Sequence, residues 1–302
     1  MTMRRHGDPL PLGEPDGLPY SKGLMAKALI VTGVPAERAY TLARRIEVDL
    51  AERGAVTVEL ERVQELAEEV LGVDDGGRAV RRLRRYRELQ LLDAPIIVLI
   101  GGATGTGKST VATEIAHRLG ITRVTSTDFV RQTMRAFFSR EFMPSIHYSS
   151  FEAGATAHDA ETGDPTLLGF LEQTRNVLVG AEAAIRRSIV EGWSMVLEGV
   201  HLVPGMVPLE IENAIVVHVV LAVPNEEAHR THFHVRDITT GGLRAMDKYL
   251  GRLEDIRRVQ NYIVSRAERT GTPVIQNLNP EHAIGEVMEL VLTTAERLEP
   301  VR

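Results

Sequence analysis

Glycines at 102, 105 and 107, followed by Lys108, Ser109 and Thr110, give the spacing G-x-x-x-x-G-K-S. Glycines so placed let the backbone curl until successive N–H groups point inward at an anion, and a helix starting at the lysine adds its positive N-terminal end. Lys108 then reaches the β and γ phosphates as a point charge, and the Ser109 hydroxyl is placed to ligate Mg²⁺, with Thr110 next in line. The chemistry implied is the binding of a nucleoside triphosphate such as ATP, with Gly102, Thr104, Gly105, Thr106, Gly107, Lys108, Ser109 and Thr110 as its contacts.

Four further groups of residues bear on what such a nucleotide is used for. Asp128 follows the apolar-to-polar run Val124-Thr125-Ser126-Thr127, at what should be the carboxyl edge of a sheet. There it could take the proton of an acceptor hydroxyl or orient a metal-bound water, or it could simply cap the next helix. Glu198 ends Ser194-Met195-Val196-Leu197 and holds the place of a carboxylate that orients a metal's water shell, although the usual residue there is Asp; the alternative is a plain strand-end glutamate. Arg230 and Arg236, with Arg244, Arg252, Arg257 and Arg258, flank Thr239-Thr240-Gly241-Gly242 and read as a closing lid whose arginines neutralise a transferring phosphoryl group. Of this set Arg230 and Arg236 are the catalytic candidates, beside Lys108 and Asp128. His232 and His234 stand two apart, but a metal pair lacks a third partner in view. Finally, Asp128, Arg131, Arg135, His147, Ser149 and Ser150 offer a carboxylate, cations and hydroxyls suited to a small anionic acceptor, or else a helix surface and a polar loop.

These residues need a scaffold, and the apolar pattern supplies one. Continuous apolar runs at 95–100, 121–126, 194–198, 214–222 and 273–276 alternate with helical segments, the rhythm of an α/β domain with a mostly parallel sheet and helices on both faces. Residues 17–72 instead read as helices, with Gly23–Leu29 and Pro35–Arg53 carrying apolar positions three and four apart, the second ending at Gly54. Between them Arg78 to Arg87 packs arginines onto a helix with a stripe of Val80, Leu83 and Arg87; it reads as a solvated connector or as a contact to another domain or a phosphate. Two domains are expected, a mostly helical one over 1–92 that includes this linker helix, and a nucleotide-binding one over 93–302.

Composition narrows the class further. The 302 residues are 43% hydrophobic with a formal net charge of -6, which suits a globular core and argues against nucleic-acid binding. With no cysteine there is no disulfide or thiolate chemistry, and no apolar run is long enough to span a bilayer. The N-terminus lacks a signal-peptide stretch, so a cytoplasmic setting without a membrane partner is the expectation. The sequence is silent on oligomeric state.

Ile100 to Thr110, Ser126-Thr127-Asp128, His147-Tyr148-Ser149-Ser150-Phe151-Glu152-Ala153 and Leu197-Glu198-Gly199-Val200-His201 together resemble the 2-phosphoglycerate kinase family. The resemblance covers nearly the whole chain, and the Ser-Ser-Phe-Glu-Ala stretch is more distinctive than the glycine-rich loop. It implies a P-loop NTPase fold and transfer of the γ-phosphate of ATP, with Mg²⁺, to the 3-hydroxyl of 2-phosphoglycerate, giving 2,3-bisphosphoglycerate. It also implies an N-terminal ATP-cone-like module, here over Leu18-Pro19-Tyr20-Ser21-Lys22-Gly23-Leu24-Met25 and the following helices, and with it a second, regulatory nucleotide. Two other readings stay open on the residues alone: a kinase for another polyol or inositol phosphate, and a non-catalytic nucleotide sensor.

Overall fold

The computed structural model describes residues 10, 12, 19–156, 163–207, 213–239 and 246–297, with the backbone alone over 236–239. The chain divides into two compact units, Met1–Asp93 with His117–Ile121 and Met288–Arg302, and Ala94–Ala116 with Thr122–Val287.

The first unit is built on α1 (Lys22–Val31), α2 (Ala36–Arg53), α3 (Leu60–Leu71) and α4 (Val73–Leu91). Ser21 starts α1 by accepting the Leu24 amide at 3.4 Å, and α2 stops where Gly54 turns left-handed, as its sequence predicts. Ala39, Leu42, Ala43, Ile46 and Leu50 of α2 are buried at the three-and-four spacing that makes one apolar face, and Val63, Leu66 and Ala67 of α3 share the same core. Asp49 is the buried exception, held between Arg53 at 2.8 Å and Arg62 at 2.6 Å. Of the residues that carry the ATP-cone resemblance, Leu18 lies outside the described residues and Lys22 to Met25 open α1.

The arginine-rich segment is α4, and its buried stripe runs Val80, Leu83, Tyr86 rather than on to Arg87. The aromatic ring at 86 buries more apolar area than an arginine stem, so it takes the inward position. Nor is the polar side all solvated: Arg82 and Arg85 both pair with Glu289, and Arg85 also donates to the Thr293 hydroxyl at 2.8 Å, within this same unit. Helices α3 and α4 pack closely at Gly76, where an added Cβ would sit 2.6 Å from the Ala67 carbonyl carbon and the Glu68 nitrogen.

The second unit alternates strand and helix: β1 (Ile96–Gly101), α5 (Lys108–Leu119), β2 (Val124–Ser126), α6 (Thr127–Phe137), α7 (Pro165–Val190), β3 (Met195–Glu198), β4 (Ile215–Ala222), α8 (Glu226–Thr239), α9 (Met246–Leu250), α10 (Leu253–Thr270), β5 (Val274–Gln276) and α11 (Pro280–Ala295). The last turns of α5 and the second half of α11 fall in the first unit. All five predicted strands form. They make one parallel sheet in the order β2-β3-β1-β4-β5. Ile97 and Leu99, with Met195 and Leu197 beside them, pack on Leu178, Ala181 and Ile185 of α7. The alternate positions Ile96, Val98 and Ile100 are equally buried on the opposite face, which explains why β1 reads as a continuous apolar run rather than an alternating one.

The register aligns Ile100 of β1 and Ser126 of β2 with Glu198 of β3. The loops after β1, β2 and β3 therefore leave the same edge of the sheet at neighbouring points, where open α/β sheets hold their ligands.

Gly76→Ala should lower the stability of the first unit by about 1–3 kcal/mol, because its methyl meets backbone that has no room to move. Gly77→Ala, where only the flexible Arg81 guanidinium lies near at 3.2 Å, should be neutral or slightly stabilising. Urea unfolding of the two variants, followed through the helical signal, checks this; equal effects would mean that the α3–α4 approach is loose.

Candidate active site

The site is built outward from the loop between β1 and α5. Gly105 and Gly107 adopt φ of 86° and 84°, a region that side chains disfavour, and an added Cβ at Gly105 would sit 2.5 Å from the Phe233 ring. The loop carbonyls are taken up one by one. Ala103 O accepts from Lys108 Nζ at 2.7 Å and Thr106 Oγ1 at 3.0 Å, and Thr104 O accepts from His229 Nε2 at 2.7 Å. Gly105 O accepts from His232 Nδ1 at 3.0 Å, and Thr106 O from Asn277 Nδ2 at 2.9 Å. Among the described residues no backbone acceptor takes the N–H of Gly105, Thr106 or Gly107. With its carbonyls held by side chains, the loop keeps those amides for an anion.

Lys108 is buried, and burial pushes its ammonium below the ordinary range while the carboxylates of Glu198 and Asp128 push it back up. Its charge therefore already stands in the field of both predicted carboxylates. Ser109 Oγ donates to Glu198 Oε1 at 2.8 Å, joining the two residues expected on the metal side. A cavity of about 350 Å³ opens beside them, lined by Ser109, Thr113, Thr125, Ser126, Phe129 and Glu198. Thr110 lies on the exposed side of α5.

The helix cap at α6 is Ser126, whose hydroxyl accepts the Phe129 amide at 3.0 Å; this corrects the reading of Asp128 as the cap. Asp128 sits in the first turn, exposed, with Oδ1 bound to Arg131 at 2.7 Å. Arg131 turns inward instead of presenting a free cation. It is buried, and besides Asp128 it donates to the carbonyls of Ile146 and Tyr148, both at 2.8 Å. Arg135 donates to Gln132 at the surface, and His147 Nε2 contacts Phe138 O at 3.1 Å. The Ser149 side chain bonds Glu152, and Ser150 is buried. Of the predicted acceptor residues only Asp128 combines exposure with closeness to Lys108, while Arg131 and His147 bond backbone carbonyls between 138 and 148.

The lid reading divides in the same way. Arg230 pairs with Glu226 at 2.6 Å on an exposed face of α8. Positions 229, 232, 233 and 236 recur at helical spacing on another face, and three of them meet the glycine-rich loop, as the contacts of His229, His232 and Phe233 show. Position 236 shares that face; its side chain, together with Thr240, Gly241, Gly242 and Arg244, lies outside the described residues. Arg252 pairs with Asp255, Arg258 with Glu254, and Arg257 donates to Pro224 O. His234 is exposed, and among the described residues no three His, Cys, Asp or Glu stand together as metal ligands.

Sequence reasoning passed over His229, Phe233, Tyr249 and Asn277. The rings stack in series, His229 on Phe233 at 5.0 Å and Phe233 on Tyr249 at 5.1 Å, with Phe151 edge-on to Tyr249 at 6.0 Å. The only sequence signal was the i,i+4 pair His229 and Phe233 just after a strand.

No family model matches the chain. It is similar over most of its length to proteins named 2-phosphoglycerate kinase. That of Methanopyrus kandleri is 36% identical over 275 residues, 91% of this chain and 84% of the relative. That of Pyrococcus furiosus is 34% identical over 275 residues, 91% and 90%. That of Thermococcus kodakarensis is 34% identical over 282 residues, 93% and 95%. Among solved structures, shikimate kinase from Acinetobacter baumannii in complex with shikimate aligns with a TM-score of 0.39 and 13% identity, over 68% of this chain and 96% of that one. Among the described residues no helix is long and apolar enough to cross a membrane.

Three buried histidines give the site's unit a pH dependence. Burial holds His201 down to about 3 and His218 and His229 to about 4, against an ordinary 6.5. The unfolded chain takes up protons below pH 6.5 that the folded state refuses, so stability is full above that pH and falls as pH drops from about 6.5 to about 4, with His201 alone carrying the fall on to about 3. Urea midpoints at pH 7.5, 6 and 5 should decline in that order; a flat series would show that these rings are charged when folded.

Proposed function

The chain belongs to the 2-phosphoglycerate kinase family, and on that premise we propose that it transfers the γ-phosphoryl group of ATP to the 3-hydroxyl of 2-phosphoglycerate. The observation that carries the reading is the convergence of the glycine-rich loop, the Ser109–Glu198 pair and Asp128 around Lys108 at one edge of the sheet. The residues fit a nucleoside triphosphate with Mg²⁺: amides without backbone acceptors among the described residues line the loop, and a hydroxyl and a carboxylate meet at 2.8 Å beside it. Mg²⁺ would supply charge neutralisation at the phosphates, held by Ser109 with Glu198 orienting its water.

In this reading Lys108 leaves the Ala103 carbonyl for the phosphates and stabilises charge as it moves from the γ group to the departing ADP. The 3-hydroxyl oxygen forms the new bond to phosphorus, the bridge to the β phosphate breaks, and Asp128 takes the hydroxyl proton, its carboxylate oriented by Arg131. Of the two lid candidates, Arg230 is tied to Glu226, whereas position 236 shares the helix face of His229, His232 and Phe233.

The direct test is ADP release with Mg²⁺-ATP in the presence of 2-phosphoglycerate, 3-phosphoglycerate or an inositol phosphate. A response specific to 2-phosphoglycerate, with 2,3-bisphosphoglycerate as product, is expected; release indifferent to every acceptor would favour a nucleotide sensor. Lys108→Ala should lower kcat on the order of 10³-fold.

Arg236→Ala should lower turnover by roughly 10³-fold or more if it acts as an arginine finger, with Arg230→Ala within a few fold of the parent. Steady-state kinetics of the pair decides, and equal effects would remove the ranking.

A further inference from the structure

Beneath the acceptor side runs a closed polar network that the proposed chemistry does not use. Gln173 of α7 is fully buried, and its Nε2 reaches two carbonyls, Ser145 O at 2.5 Å and Tyr148 O at 3.1 Å. Only the amide nitrogen can donate to both, so Oε1 faces the other way, onto His201 Nε2 at 2.9 Å. His201 must then carry its proton on Nε2, which leaves Nδ1 to accept from the Thr127 hydroxyl at 2.8 Å. Each member fixes the next, and every bond has one direction.

The chain of bonds ends at Thr127, the residue before Asp128. A second tie returns from the same helix: Arg131 grips Asp128 and donates to the Ile146 and Tyr148 carbonyls. Asn176 adds a bond from its Nδ2 to Ser145 Oγ at 3.2 Å. The segment 145–148, which leads into Ser149 and Ser150, is thus held to the start of α6 by two routes, one through Arg131 and one through Gln173 and His201. Tyr148 O is the point at which they meet. A ring of this kind sets the separation between Asp128 and the acceptor loop and resists its change, because removing Gln173 or His201 from it leaves buried polar atoms without partners.

We propose that His201 and Gln173 are positioning residues for the phosphoryl acceptor: neither touches it, and together they fix the loop that must hold it against Asp128. This rests on the reaction proposed above. Displacing that loop should weaken acceptor binding and misplace the attacking hydroxyl, while the nucleotide side, built on other residues, keeps its affinity.

The test uses Gln173→Met, which keeps volume and removes the amide, His201→Leu, and Thr127→Val, which removes only a hydroxyl and serves should the other two fold poorly. KM for 2-phosphoglycerate should rise at least tenfold and kcat fall, with KM for ATP within twofold of the parent. His201→Gln, whose amide can still donate to Gln173, should recover part of the acceptor affinity that His201→Leu loses. Hydrogen exchange in peptides spanning 145–150 should quicken in the same variants, with the glycine-rich loop unchanged. A joint rise of both KM values, or unchanged exchange across 145–150, would overturn the proposal. The exchange measurement needs no acceptor. If the parent fails to turn over 2-phosphoglycerate, the reaction assigned above falls, while exchange still decides whether the ring holds the loop.

Discussion

A loop that offers its amides to an anion has to do something with its carbonyls, and this need governs much of the second unit. A buried carbonyl left without a donor costs roughly 1–3 kcal/mol, and the loop has four in succession, from Ala103 to Thr106. Each is met by a side chain, and besides Thr106 of the loop itself the donors come from α5, α8 and the residue after β5. The glycine-rich segment is therefore shaped from outside as much as by its glycines. Helix α8 is held where it is by the same requirement, since His229 and His232 are its contribution. The stack of His229, Phe233 and Tyr249 then continues from the loop toward Phe151.

The stretch 145–150 meets the same constraint by different means. Residues 144–147 make a single short 3-10 turn and 148–150 are irregular, so carbonyls there also need donors, and they find them in Arg131 and Gln173. An arginine is costly to bury without partners, and Arg131 has them on three sides. Its cost as a buried charge is offset by Asp128, whose carboxylate stays exposed and so remains available to a ligand. A residue that looks from its type like a substrate cation is in this place a piece of scaffolding, and the one that looks like a helix cap is the exposed carboxylate.

That contrast explains what was legible in the sequence. The strands were, because a parallel sheet covered on both faces leaves unbroken apolar runs, and Ile96 to Ile100 is such a run. Ser109 and Glu198 were, because motif position and strand end place them before any packing is known. The stripe on α4 was misread by one residue, since Tyr86 and Arg87 both fit a helical period and only packing chooses between them. Gln173, His201, His229 and Asn277 were invisible as functional groups. Their partners lie 25 to 171 residues away in sequence, and their roles exist only once the loops they serve are folded. His232 was weighed only as a metal ligand, because a histidine's spacing says nothing of a carbonyl waiting across a turn.

Lys108 and Glu198 show how such a site holds charge before a nucleotide arrives. Both are about nine-tenths buried, and burial pushes the Lys108 ammonium toward its neutral form. The position of Glu198 follows from the sheet: β3 lies between β1 and β2, so its last residue falls between the loop that carries Lys108 and the turn that carries Asp128. The carboxylate favours the charged form of Lys108, against the burial that opposes it. The lysine meanwhile has only a carbonyl, Ala103 O, as its hydrogen-bond partner among the described residues. A neutral acceptor binds an ammonium less tightly than an anionic one does, so exchanging that carbonyl for phosphate oxygens strengthens the contact without first breaking a salt bridge. A direct Lys108–Glu198 bond would have cost the site that freedom; a carboxylate close enough to be felt, yet bonded to Ser109 instead, favours the charged form of the lysine without tying it down.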